Sequence, residues 1–102
     1  MEEQLRIEGA PEDLEEIRRQ LFAELGDDLE LDEMSSQGAG ELREPVLIGL
    51  VVALGGPQVV KGVVKVLDRY MLHRERMRAL DLAFLREKPE PVTLADVQSL
   101  AR

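Results

Sequence analysis

The chain has 102 residues, enough for one domain and too few for two ordinary ones, so residues 1–102 are predicted to form a single unit. It has no cysteine, which excludes disulfides, zinc–thiolate sites and thiol nucleophiles. Its net charge of −8 argues against a nucleic acid as the main partner, because phosphate binding needs a positive field. Aromatic residues are only 3% of the chain, so the predicted core is aliphatic.

Acidic and basic residues are divided unevenly along the chain. Residues 1–44 carry 15 acidic and 4 basic side chains, a net charge of −11, whereas residues 45–102 carry 6 acidic and 9 basic ones, a net charge of +3. The two parts should attract each other, within one chain or between two copies. The first residues are acidic and no apolar segment of a secretory signal follows them; together with the lack of cysteine, this predicts a cytoplasmic protein.

The first third of the chain is typical of a β-α-β unit. Alternating apolar and polar residues predict a short strand over 5–8. A helix is predicted to begin at Pro11, to carry apolar residues at helical spacing and to end at Gly26. Strict alternation over 28–32 predicts a second strand, and the Ser- and Gly-rich residues 35–40 predict a loop.

The apolar run from Val46 to Leu54 is the most ambiguous segment. Nine residues without a polar side chain are typical of either a buried strand or a buried helix. The β-branched residues favour a strand, whereas the length of the run and the following Gly55-Gly56-Pro57 favour a helix. We predict a helix with a kink or turn at that tripeptide, followed by an amphipathic helix from Pro57. Residues 46–76 then form either one kinked helix or two consecutive helices.

The last quarter of the chain predicts a hairpin and a short helix. Residues 79–86 are predicted as a strand, with a helix over 77–85 as the alternative. After a turn, Val92-Thr93 is predicted to return as a strand, and Thr93 and Asp96 have capping-box spacing. The predicted fold is therefore α+β, with the helices on one face of a small three- or four-stranded sheet.

No pattern in the chain predicts catalysis. Asp28, Glu30 and Asp32 match the first, third and fifth positions of a calcium loop, but Glu33 stands where that loop needs glycine and Ala39 where it needs glutamate. The glycines of residues 55–62 lack the spacing of phosphate-binding loops. His73 has no Cys or Ser partner in a recognisable motif. The sequence therefore predicts no enzyme, and no catalytic, metal or cofactor site.

Two features predict contact with other proteins. Small residues four positions apart in the helix predicted over 46–54 would let another helix approach closely, inside the chain or in a homo-oligomer. Basic residues on one stripe of the following helix are predicted either to be solvated or to dock an acidic protein surface. The candidate interaction residues are Gly49, Ala53, Gly56, Lys61, Lys65, Arg69 and Arg76.

The order of these parts is similar to the effector-associated constant component family of bacterial conflict systems. The resemblance is carried by Leu5-Arg6-Ile7-Glu8-Gly9, by Val51-Val52-Ala53-Leu54-Gly55-Gly56 and by the basic end of the long helix, and it covers nearly the whole chain. Pro57 and the turn at 88–91 depart from the family pattern. The resemblance implies a small constant partner of variable effectors such as proteases, acting in antiviral or other conflict as an adaptor, regulator or assembly component, without catalytic residues.

The sequence therefore predicts a protein-interaction module that binds an effector or regulatory protein of the same system. A homo-oligomer is a further expectation. One alternative is a membrane-acting module that inserts residues 46–72, which is disfavoured because a spanning helix needs about 20 apolar residues. The other alternative is a small ligand-sensing regulatory domain.

Overall fold

A computed structural model describes residues 3–36, 46–73 and 80–101. Its elements in chain order are β1 (Glu3–Glu8), α1 (Pro11–Leu25), a 3₁₀ turn (Gly26–Asp28), β2 (Leu31–Ser36), β3 (Val46–Leu54), α2 (Pro57–His73), β4 (Asp81–Phe84), β5 (Glu90–Val92) and α3 (Leu94–Ser99). The α+β class predicted from the sequence is confirmed.

The strands of the described residues form one antiparallel sheet in the order β2-β3-β1-β4-β5. Strand β1 lies between β3 and β4, so the units β1-α1-β2 and β3-α2-β4 are interleaved. With α1 and α2 on the same side of the sheet, this is the ferredoxin-like arrangement, extended here by β5 and α3. The described helices pack against one aliphatic core on that side.

The core is built from the residues of the inner strands that face the helices. Leu5 and Ile7 of β1 lie opposite Val52 and Leu50 of β3, and all four are fully buried. Helices α1 and α2 cover them with apolar side chains at helical spacing, among them Leu14, Ile17, Leu21, Val63, Val66 and Leu67. The core is aliphatic, as expected from the low aromatic content: apart from Tyr70 and Phe84, its buried members are Leu, Ile and Val.

The helix predicted over Val46–Leu54 is wrong, because this segment is strand β3. It pairs with β1 along one edge and with β2 along the other, so both neighbours satisfy its backbone groups. Its β-branched side chains fit that pleated surface. The glycines before Pro57 therefore form a strand-to-helix turn, and residues 46–76 are neither one kinked helix nor two consecutive helices. The predicted start of a helix at Pro57 is confirmed.

The sheet has more strands than expected, five instead of three or four within the described residues. The additional strand is Val46–Leu54, while Glu90–Val92 returns as the hairpin partner of Asp81–Phe84. The strand predicted over 79–86 is therefore correct, and the alternative helix over 77–85 is wrong, in the part of this segment that the structure describes. Thr93 and Asp96 form the predicted capping box: the Asp96 carboxylate accepts from the Thr93 N–H at 2.8 Å, and the Thr93 hydroxyl accepts from the Asp96 N–H at 3.3 Å.

The second strand begins later than predicted. Helix α1 ends at Gly26, which has a positive φ of 54° and donates its N–H to the carbonyl of Phe22. The chain then continues into the 3₁₀ turn, so the strand predicted over 28–32 is found at Leu31–Ser36. Ser35 and Ser36 therefore belong to a strand and not to the predicted loop, whose remaining residues 37–40 lie outside the described residues.

Helices α1 and α2 are joined at two points. Near one end, the buried Tyr70 hydroxyl donates a hydrogen bond to the buried Asp13 carboxylate, which lies in the first turn of α1, at the positive end of the helix dipole. Near the other end, the buried Gly62 faces Leu25, whose Cδ2 would be 2.5 Å from a Cβ at position 62. A side chain at position 62 would therefore require Leu25 to move.

We expect Gly62→Val to lower the free energy of unfolding by about 1–3 kcal/mol, because the new side chain overlaps Leu25. Gly56→Ala is the matched control, since no atom lies within 4 Å of a Cβ there, and its effect should stay within about 0.5 kcal/mol. Urea denaturation measures both values. Equal stability of Gly62→Val and the parent chain would contradict the close helix approach.

We expect Tyr70→Phe to lower the free energy of unfolding by about 1–3 kcal/mol, because it removes a hydrogen-bond donor from a buried carboxylate. The loss should be smaller in an Asp13→Asn background, where no buried charge depends on the phenol. Thermal and urea denaturation of the four chains form a double-mutant cycle. Additive losses would show that the two side chains are not coupled.

Candidate interaction surfaces

The basic stripe of α2 is exposed, but part of its charge is used within the chain. Lys65 Nζ lies 3.3 Å and Arg69 Nη2 3.7 Å from the same Glu24 Oε1 of α1. Lys61 is also exposed and has no ion pair with the described residues. The exposed Asp68 offsets more of the positive charge. The stripe is therefore only weakly basic over its described part.

The attraction expected between the acidic and basic parts of the chain is present within one molecule. Besides the contacts of Glu24, Arg86 Nε lies 2.8 Å from Glu3 Oε1, which ties the turn after β4 to the start of β1. The hydrogen bond to Glu3 raises the pKa of the Arg86 guanidinium. The side chain of His73 and the whole of Arg76 lie outside the described residues, so the far end of the predicted stripe is not placed.

The structure separates the small residues from the basic stripe. Gly49 and Ala53 lie on β3, where residues four apart also share a face, and that face points away from the helices. Gly56 lies in the turn before α2. The predicted helix–helix contact through Gly49 and Ala53 is therefore wrong, because both residues lie on a strand. The candidate residues that the structure describes do not form one site.

The face of the sheet opposite the helices is not covered by any described element. Its residues, called here the uncovered face, lie in three rows across the strands: Ala53 and Gln4, then Asp32, Val51, Arg6, Ala83 and Pro91, then Met34, Gly49, Glu8 and Asp81. Arg6 Nε lies 2.8 Å from Glu8 Oε1. Within the described residues Asp32 and Asp81 have no ion pair, so the uncovered face combines small and apolar residues on β3, a charged pair on the central strand β1 and uncompensated acids at its sides.

Strand β2 is one edge of this sheet. Asp32 is exposed on it and Asp28 and Glu30 are exposed just before it, while Glu33 of β2 binds Arg18 of α1. A cleft of about 410 Å³ opens beside Asp28 and Glu30 at the glycine turn before α2. The carboxylates of the cleft oppose binding of a phosphate there, although the turn contains glycines.

Neither a metal centre nor a membrane span is found in the part of the chain that the structure describes. There, no group of three or more side chains that can bind a metal lies together. The helices found there are too short or too polar to cross a bilayer. The edge strand was not identified as a site from the sequence, because which strand lies at an edge depends on pairings distant in the chain; its only sequence signal is the alternation of leucines and acids.

We expect reversal of Lys65 and Arg69 to Glu to lower the free energy of unfolding by no more than about 1 kcal/mol, because both ion pairs are exposed to solvent. A triple variant that also carries Glu24→Lys restores opposite charges and should recover most of this loss. If the stripe docks a partner, both variants should weaken binding in a pull-down assay. Unchanged binding and self-association, the latter by light scattering, would remove the stripe as an interaction site.

Comparisons with protein-family models, with curated proteins and with solved structures found no match. The resemblance to the effector-associated constant component family therefore stays a prediction from the sequence.

Proposed function

We propose that the chain is a non-enzymatic protein-interaction module, an adaptor, regulator or assembly component that acts with a separate effector in the cytoplasm. The family resemblance suggests the setting, a bacterial conflict system. The observation that carries the proposal is the uncovered face, because Val51 and Ala53 of β3 are apolar and only partly buried there, where the free face of an antiparallel sheet is usually polar.

The chemistry of the uncovered face suits a protein partner. Val51, Ala53 and Met34 are half-buried and lie beside one another on β3 and β2. Gly49 and Ala83 add no bulk, so a second layer can approach closely. Asp32 and Asp81, which have no ion pair within the described residues, and the Arg6–Glu8 pair of the central strand β1 add charged groups that a partner can match.

The same geometry favours interaction over membrane insertion. Residues 49–54 pair with β1 and residues 46–52 pair with β2, and the apolar side of α2 lies in the core of the domain. Insertion of residues 46–72 would have to separate β3 from two strands and expose that core. It also favours a separate partner over face-to-face self-association, because two copies would bring several uncompensated acids together.

We expect Val51→Gln to weaken binding to the partner about tenfold or more, because a half-buried apolar contact of the uncovered face is lost. Val64→Gln is the matched control: this valine is equally half-buried but packs in the helical layer. The measurement is co-purification and titration with the proteins encoded beside this gene, after circular dichroism has shown that both variants fold.

Two results would contradict the proposal. If none of the neighbouring gene products binds the parent chain, an adaptor role in such a system is not supported. If Val51→Gln and Val64→Gln bind equally well, the partner does not use the uncovered face.

A further inference from the structure

We propose that the partner adds a β-strand to the free edge of β2, and that this strand alternates apolar and basic residues. The inference rests on the proposed function and specifies how the partner is recognised. It follows from three properties of β2: the direction of its backbone groups, the half-exposed apolar residues beside it, and its charge.

The backbone of β2 has unused hydrogen-bonding groups. Ala53 donates its N–H to the carbonyl of Glu30 at 3.0 Å, so residue 30 faces β3. In an antiparallel ladder every second residue bonds to the same neighbour, so Asp32 also faces β3, and the N–H and C=O groups of Leu31 and Glu33 point to the free edge. No described strand pairs with them. Such an edge is a template for a further strand.

The opposite edge of the sheet is closed to this mode of binding. Strand β5 has three residues, Glu90–Val92, and its central residue is Pro91. Proline has no N–H to donate, and a strand this short gives few main-chain bonds. The difference between the two edges points to β2 as the edge that a partner strand can extend.

Apolar residues lie along the β2 edge on the side of the helices. Leu29 and Leu31 pack against the core but are only partly buried. Phe22 of α1 is 52% exposed. It lies one helical turn beyond Arg18, which binds Glu33, and α1 runs opposite to β2, so Phe22 is at about the level of Leu31. An added strand would cover these side chains with its own apolar residues.

The acidic residues at the β2 edge determine which residues are favoured on the side of the added strand that faces away from the helices. Glu30 and Asp32 share the side away from the helices, are exposed and have no ion pair within the described residues. Glu33 is on the helix side, where Arg18 already neutralises it. Basic residues are therefore favoured opposite Glu30 and Asp32, and apolar residues beside Leu31.

The same charges disfavour the other occupants of this edge. Two copies joined through antiparallel β2 strands would place the acids of one against those of the other, and like charges directly opposite destabilise a strand pair. An anionic lipid surface would be repelled for the same reason. A strand that alternates basic and apolar residues matches all three properties of this edge: the outward main-chain groups, the partly exposed apolar side chains and the acidic charge.

The test uses a synthetic eight-residue peptide of alternating valine and lysine, with a peptide of the same composition but four consecutive valines and four consecutive lysines as the control. We expect the alternating peptide to bind the full chain more tightly and to shift the backbone amide signals of Leu31 and Glu33 in NMR spectra. Affinity should fall with added salt.

Two substitutions at one position isolate the main-chain contact. Glu33→Ala and Glu33→Pro both remove the ion pair with Arg18, but only proline also removes the outward N–H. We expect Glu33→Pro to bind the alternating peptide about fivefold or more weakly than Glu33→Ala, with both chains folded. Asp32→Asn should weaken binding about twofold to fivefold.

The outcomes separate this inference from the proposed function. Equal affinity of Glu33→Pro and Glu33→Ala for the peptide, equal binding of the two peptides, or β2-mediated dimers of the free chain would each overturn strand addition. If a neighbouring gene product still binds the parent chain and depends on Val51, the interaction module stands and only its mode of recognition was wrong.

Discussion

Strand β3 is the constraint on which the rest of the fold depends. It pairs with β1 and with β2, and its alternate residues Leu50, Val52 and Leu54 form part of the core. This pairing places β2 at the edge of the sheet and leaves Val51 and Ala53 on the face without helices. Both proposed recognition surfaces therefore follow from the position of one strand.

The two long helices are joined to each other by a few specific contacts besides their apolar packing. A buried hydrogen bond between Tyr70 and Asp13 and a close approach at Gly62 set the spacing of α1 and α2. Glu24 forms ion pairs with Lys65 and Arg69 of α2 at the surface. Opposite charges from the two parts of the chain thus meet within the fold at some positions, while the acids at the β2 edge remain uncompensated by the described residues.

Local signals in the sequence predicted local structure well. Pro11 and Gly26 marked the ends of α1, and Thr93 and Asp96 marked the start of α3, because capping depends on residues that are close in the chain. The segment Val46–Leu54 was predicted wrongly, since its partners in β1 and β2 decide between strand and helix, and neither pairing can be read from the segment itself.

The candidate residues show the same limit. Gly49 and Ala53 do share a surface, but on a strand and not on a helix. The basic residues of α2 were identified, yet Glu24 could not be assigned to them before the approach of the two helices was known. The free edge of β2 is a property of the whole sheet, and the only local sign of it was the alternation of leucine and acid before Met34.

The most direct measurement is amide hydrogen exchange of the isolated chain, followed residue by residue in NMR spectra. Within β2, the amide of Asp32 faces β3 and should exchange slowly, whereas the amides of Leu31 and Glu33 should exchange rapidly because they point to the free edge. Protection of Leu31 and Glu33 equal to that of Asp32 in the isolated chain would show that the edge is already occupied, and would contradict the account.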